Sequence, residues 1–393
     1  MKAFVFTKTG VIEEKEVEDI RFDAEGENRF DCLMEPVYLS PCSSDVHTVY
    51  AGPGPRRENM ILGHEGIGRV LQCGSEVKDF IPGDVVAVAA VMPDVPGGTG
   101  HEHMPFSGTK LGRNMNGMWA ERYLVPQADS NLALIPEGVS PKEALMSVDV
   151  MAAAFSAVDA AEIREGQTVV ISGTGAIGLM AAAAAKLKGA GFIIAIGSEK
   201  RKNCTLLAMR YGADIVVSYQ SGKILASSGT FWDRFPGGMQ ELEELVRRVK
   251  ESRSPLANST GSPVTDLVTG LTEGMGADRI VLTGGTRRSL MEACDMLKYG
   301  SGICVNMAYI EGTEDVSLPV FSLGKGMAGK CFKFVLSAGG RQYIEEMLAL
   351  LAAGVPDAGK LVTHELEGFE SIPRALSMMK DREGGAIKVM VKI

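Results

Sequence analysis

A histidine and a glutamate stand side by side among glycines in Gly63-His64-Glu65-Gly66-Ile67-Gly68, and the pattern runs on through Gly74 to Val77. Imidazole and carboxylate are both donors to a divalent cation, and the glycines allow backbone angles closed to other residues. On its own the pair proves little, because a single histidine near an apolar strand commonly serves as a hydrogen-bonded structural residue. A second histidine pair, in His101-Glu102-His103, could also bind a metal, but the loop-rich stretch around it holds no cysteine and no further histidine. A different chemistry is written in Gly173-Thr174-Gly175-Ala176-Ile177-Gly178. Such a turn lets a pyrophosphate approach a helix N-terminus, where free N–H groups and the helix dipole favour an anion.

The glycine turn has the neighbours it needs. Thr168-Val169-Val170-Ile171-Ser172 is a β-branched run directly before it, residues 179–188 read as an alanine-rich helix, and Phe192-Ile193-Ile194-Ala195-Ile196 reads as the next strand. Strand, glycine turn, helix and strand form the βαβ context of dinucleotide binding. Ala213-Asp214-Ile215-Val216-Val217, Arg279-Ile280-Val281-Leu282 and Gly302-Ile303-Cys304-Val305-Asn306 continue the alternation, so a doubly wound parallel sheet is expected. The alternation breaks over residues 221–263, where a polar, turn-rich stretch precedes a charged helix whose ionic face is read as solvated.

Residues 1–150 have another character. Val37-Tyr38-Leu39, Gly68-Arg69-Val70-Leu71 and Asp84-Val85-Val86-Ala87-Val88 are short β-like runs with turns between them, which predicts a β-rich, barrel-like domain. Ser140-Pro141-Lys142-Glu143-Ala144 carries the signals of a helix start. The division expected is 1–152 for the first part of a catalytic domain, 153–307 for a dinucleotide-binding domain with an extra segment near 221–263, and 308–393 for a return to the first, ending in a strand at Ala386-Ile387-Lys388-Val389-Met390-Val391.

A chain of 393 residues exceeds one ordinary core, in keeping with two domains. Its formal charge of -9 argues against nucleic acid or an acidic membrane surface as a partner. No apolar run is long enough to span a bilayer, and the opening Met1-Lys2-Ala3-Phe4-Val5-Phe6 reads as a strand rather than a signal peptide. Seven scattered cysteines without a CxxC pair fit a reducing cytoplasm and no disulfide framework.

As a full string, G-H-E-x-x-G-x5-G-x2-V resembles the zinc signature of the medium-chain dehydrogenase/reductase superfamily. With Cys42 in Pro41-Cys42-Ser43-Ser44-Asp45-Val46-His47, then His64-Glu65, then the Gly173–Gly178 loop, the chain is similar to zinc-dependent alcohol dehydrogenases, the bacterial secondary alcohol dehydrogenases above all. Gly74-Ser75-Glu76-Val77-Lys78-Asp79-Phe80 and Lys360-Leu361-Val362-Thr363-His364 extend the likeness over nearly the whole chain. It implies an α/β protein with a GroES-like β-rich catalytic domain and a Rossmann nucleotide domain. It implies interconversion of a secondary alcohol and its ketone with NAD or NADP. Cys42, His64 and Asp149 match the family's zinc ligands, with Glu65 as an alternate ligand, and Ser44 and His47 match its proton relay. Three ligands leave zinc an open position for substrate. Residues 92–121 lack the cysteines of a structural zinc lobe, so one catalytic zinc is expected.

The same resemblance assigns finer roles. Gly173, Thr174, Gly175, Ala176, Ile177 and Gly178 would hold the pyrophosphate. Gly197 and Ser198 end the second strand without the acid of NAD-preferring relatives, Lys200 could neutralise a phosphate, and Tyr219 matches a contact near it, which favours NADP. Glu199 stands where NADP users carry an arginine and points the other way. Thr109 falls at a position that is aromatic in relatives, and Val91 at one that is larger, which predicts a wide pocket for a bulky ketone, a hydroxysteroid being the boldest candidate. Trp119, Met115 or Met118 refilling that space is the competing reading. A homodimer or homotetramer in the cytoplasm is expected. The alternatives are a polyol or amino-alcohol dehydrogenase of the same fold, a zinc-free quinone or enoyl reductase, or a nucleotide-binding protein without turnover.

Overall fold

Two antiparallel strands, Cys32–Ser40 and Glu65–Cys73, form the ladder on which the first half of the chain is built, in register from Cys32 opposite Cys73 to Ser40 opposite Glu65. The computed structural model describes residues 1–51, 59–93, 109–252, 258, 260–308 and 327–393. It divides into one unit of Met1–Ala152 with Ser337–Ile393 and a second of Ala153–Leu336.

In the first unit the ladder sits inside a larger sheet. The order is Leu132–Leu134, Val85–Val88, Glu65–Cys73, Cys32–Ser40, Lys388–Lys392 and Val362–Glu367, with Tyr123–Val125 also pairing Cys32–Ser40. A smaller sheet joins Val11–Glu16, Lys2–Lys8 and Met60–Ile61. The glycines around His64 have a packing reason beyond turning. Gly63, at a φ of +90°, lies against the Trp119 ring, Gly66 against the Met118 sulfur and Gly68 against the Tyr123 hydroxyl, so a Cβ at any of them would collide. Met118 and Trp119 are fully buried in this role, seated on the motif itself. At the expected helix start, the Ser140 side chain accepts from the Glu143 N–H while the Glu143 carboxylate accepts from the Ser140 N–H. That cap opens the helix Pro141–Met146.

The second unit is a seven-stranded sheet in the order Ile224–Ser227, Ile215–Ser218, Phe192–Gly197, Thr168–Ser172, Arg279–Leu282, Ile303–Asn306 and Cys331–Phe334. All neighbours are parallel except the first pair. Two differences from the sequence reading appear here. The return to the first unit comes at Ser337, not at 308, because Cys331–Phe334 pairs with Ile303–Asn306 and belongs to the nucleotide sheet. Within the extra segment, Ile224–Ser227 is an edge strand, although its residues read as turn-rich. An edge strand needs few apolar side chains, so its pattern is weak. The segment is also tied inward: Phe231, Phe235 and Leu242 pack into the core beside Phe192 and Val268. Among the described residues no helix is long and apolar enough to cross a membrane.

Candidate metal centre and nucleotide loop

Strand Cys32–Ser40 delivers Pro41 and then Cys42, which caps the helix Ser43–Tyr50. His64 immediately precedes the partner strand Glu65–Cys73, so the ladder brings its thiol and imidazole to one end. Asp149 arrives on a π-helical turn, Ser147–Met151, between the helices Pro141–Met146 and Ala152–Ala160. Such turns carry one residue more per turn and recur at functional sites. Cys42 Sγ is 3.5 Å from Asp149 Oδ2, and His64 Nε2 is 3.9 Å from the same oxygen. Donor atoms of Cys42, His64, Glu65 and Asp149 all lie within 4.8 Å of one another.

A tetrahedral zinc with bonds of about 2.0–2.3 Å separates its donors by about 3.3–3.8 Å. The Cys42–Asp149 distance falls in that range, and His64–Asp149 lies just outside it. Sulfur, nitrogen and carboxylate oxygen are also the donor types that zinc takes. The electrostatics agree. Burial first, and then the Glu65 and Asp149 carboxylates, push the Cys42 thiol up despite the pull of Lys388. The site is thus rich in anionic donors and suited to a cation.

Two residues that brace the site were not singled out by sequence. Asp45 Oδ2 accepts from the Cys42 backbone N–H at 2.8 Å, and its other oxygen lies 3.3 Å from His64 Nδ1. One carboxylate therefore fixes the Cys42 backbone and the His64 ring, turning Nε2 toward Asp149 and Ser44, the typical arrangement of a metal-bound imidazole. Burial works against a charged His64 ring, but Asp45 and Cys42 outweigh it and raise its pKa well above the usual range. A hint existed in the sequence: Asp45 follows Cys42 by three residues, the spacing of a capping box.

The second is Lys388, on the last strand, whose side chain is 3% exposed. Its Nζ is 2.5 Å from Glu65 Oε1, contacts Oε2 as well, and reaches the Pro41 carbonyl at 3.5 Å. Burial pushes the Glu65 carboxyl up to about 7 against the opposing pull of Lys388. Burial would lower Lys388, yet Glu65 and Cys42 overcome it and hold the ammonium at about 12. Its signal was a lysine set between the apolar residues Ile387 and Val389 at the start of that strand. Ser44 is exposed, with its hydroxyl 3.4 Å from His64 Nε2, and His47 is half-buried on the same short helix. Val91 is 1% exposed and packs against Gly339, so it offers a substrate almost no surface. The Thr109 backbone pairs with Met92, while its side chain, His101 and His103 lie outside the described residues.

In the second unit the glycine loop takes the expected shape. Gly173 has a φ of +109° and donates its N–H to Ile196 O at 2.9 Å, and a Cβ on Gly178 would strike the Gly173 carbonyl. Gly175 caps the helix Ala176–Leu187 in extended conformation without a side-chain cap, which leaves the first-turn N–H groups, Ala176 and Ile177 among them, for an anion. Gly197 closes against Thr174, and Ser198 Oγ accepts from the Lys200 N–H at 3.3 Å. Tyr219 is 55% exposed, and its N–H donates to the Gly197 carbonyl. The Glu199 carboxylate accepts from Ser218 Oγ at 2.7 Å and Ser221 Oγ at 2.5 Å, bonds that hold its pKa below the usual carboxylate value.

Residues 28–137 match the alcohol dehydrogenase GroES-like domain family. The NADP-dependent isopropanol dehydrogenase of Clostridium beijerinckii is 36% identical over 368 residues, covering 92% of this chain and 93% of that one. The chain belongs to the zinc-dependent medium-chain alcohol dehydrogenases. The enzyme of the same description from Thermoanaerobacter brockii is also 36% identical, covering 92% of either chain. Among solved structures, alcohol dehydrogenase TADH from Thermus sp. ATN1 superposes with a TM-score of 0.73 at 24% identity, covering 100% of this chain and 99% of that one. The alcohol dehydrogenase fold, a GroES-like part and a parallel nucleotide sheet, is therefore shared.

Proposed function

We propose that this alcohol dehydrogenase interconverts secondary alcohols and ketones with NADP, and that Cys42, His64 and Asp149 hold one zinc ion while Glu65 stays in reserve. The observation that carries the reading is the convergence of four donors of zinc-binding type within 4.8 Å. When bound, zinc supplies Lewis acidity toward the alcohol or carbonyl oxygen. The chain's own residues do the rest. Asp45 orients the His64 ring, and Lys388 keeps Glu65 paired. Ser44, exposed beside His64, takes the alcohol proton and passes it toward His47. The glycine loop and the start of Ala176–Leu187 bind the cofactor pyrophosphate. With zinc-loaded protein, nicotinamide absorbance should follow oxidation of secondary alcohols. Absence of turnover across a graded alcohol and ketone panel with either cofactor would leave the reading as a nucleotide-binding protein, and polyol selectivity would favour that alternative.

NADP is favoured because Ser198, Lys200 and Tyr219 offer a hydroxyl, a cation and an exposed ring near the ribose end of the loop, while Glu199 is occupied by Ser218 and Ser221. The relatives named above are NADP-dependent by description. The ratio of kcat/KM should favour NADP, and Glu199→Gln should widen it by removing a negative charge. A preference for NAD above about tenfold, or about 1.4 kcal/mol, would show that Glu199 binds the ribose diol instead.

The wide-pocket reading rests on Thr109, since Val91 is buried. Thr109→Trp should penalise bulky cyclic ketones, hydroxysteroid partners included, far more than acetone-sized ones. Equal losses would remove Thr109 from the pocket. A homo-oligomer is proposed because the sheet of the second unit ends in Cys331–Phe334, which among the described residues pairs only with Ile303–Asn306 and exposes Phe334 at 67%. A monomer by light scattering at micromolar concentration would oppose it. No disulfide joins the described cysteines, in keeping with a cytoplasmic setting.

A further inference from the structure

Cys32 and Cys73 face each other across the central ladder of the first unit, their sulfurs 3.6 Å apart. The neighbouring pair, Asp31 and Gly74, is joined by a backbone hydrogen bond of 2.9 Å from the Gly74 N–H to the Asp31 carbonyl. Because hydrogen-bonded and non-hydrogen-bonded pairs alternate in antiparallel ladders, Cys32 and Cys73 occupy a non-hydrogen-bonded position. There Cα atoms approach to about 4.5 Å and side chains lie closest, which is inside the span a disulfide bridges. Cys32 is completely buried, whereas Cys73 is half-buried, its Sγ donating to the Phe80 carbonyl at 3.4 Å. Neither residue belongs to the metal centre or the nucleotide loop.

We propose that Cys32 and Cys73 are an oxidisable pair that closes into a cross-strand disulfide when the chain meets a low-molecular-weight disulfide such as oxidised glutathione. The Cys73 thiolate attacks one sulfur of the oxidant, forming a mixed disulfide and expelling one glutathione thiolate. The Cys32 thiolate then attacks Cys73 Sγ, forming the Cys32–Cys73 bond and expelling the second. Both cysteine protons end on the two glutathione thiols, so the pair loses two electrons and the oxidant gains them. The bond would staple the ladder at one end. Its other end is Ser40 opposite Glu65, with Cys42 and His64 just beyond, so the staple lies on the strands that carry the metal donors.

The test uses the full zinc-loaded chain treated with oxidised glutathione, then blocked and digested without reduction. The expected product is a peptide joining Cys32 to Cys73, lighter than the reduced pair by two hydrogen atoms and reversed by a reducing thiol. Its thermal midpoint should rise by several degrees, because the closed loop restricts the unfolded chain. Cys32→Ser should stop at the glutathione adduct on Cys73, and Cys73→Ser should take up no glutathione at Cys32. Persistence of the adduct on Cys73 in the parent chain, a link between other cysteines, or no reaction at either residue would each overturn the proposal.

Discussion

Cys42→Ala and Asp149→Ala are expected to lose bound zinc and at least about a thousandfold in kcat/KM, the several kcal/mol that a Lewis acid contributes to such chemistry. The loss should be confined to the first unit. Both residues lie in Met1–Ala152, whereas the glycine loop belongs to Ala153–Leu336, with its own core around Val170, Ile194, Ile215 and Ile280. Cofactor binding, read by nicotinamide fluorescence, should therefore survive in both variants while metal content falls. An alanine variant that keeps full turnover without zinc would show that the donors are a structural cluster. Loss of cofactor binding as well would point to general unfolding.

Lys388→Met should have the next largest effect. It leaves the Glu65 carboxylate buried without its cation, and breaking a buried pair on one side costs about 3–5 kcal/mol. The cost should appear in denaturant unfolding of the metal-free chain, together with a fall in kcat of about 10–100-fold, as for other groups that orient a metal's ligands. Two further variants separate the pair's role from simple misfolding. Lys388→Arg retains the charge and should recover part of both losses. Glu65→Gln combined with Lys388→Met removes both charges, and its stability should exceed that of Lys388→Met alone. A metal-free Lys388→Met chain as stable as the parent would mean the pair contributes nothing.

What the sequence made legible was local. The β-branched run before Gly173 and the alanine-rich stretch after it identify strand, turn and helix, because spacing within a few residues suffices. The Ser140 cap was readable for the same reason. What escaped depends on residues far apart. Lys388 meets Glu65 across 323 positions, and its only local sign is a charge among apolar neighbours. Asp45 stands within the Cys42 motif, but its hold on His64 appears only once the ladder places the two side by side. The boundary at 337 was missed because Cys331-Phe332-Lys333-Phe334 is short and mixed in polarity, so only pairing with Ile303–Asn306 assigns it to the nucleotide sheet. Val91 shows the reverse limit: alignment gives a position, but Gly339 lying against it determines its exposure.

The wide turn at Ser147–Met151 makes this stretch intolerant of length change. An α-helix advances about 100° per residue, and a π turn holds one residue more than its α counterpart. Deleting a single residue there would let Pro141–Met146 and Ala152–Ala160 fuse into one regular helix, a change a helix ordinarily welcomes. Asp149 would then swing about its axis by roughly a quarter turn, away from Cys42 and His64. Among variants of this chain, substitutions across residues 147–151 other than at Asp149 should thus be easier to accept than any one-codon gap, and a gap should cost metal while leaving helix content intact or slightly raised.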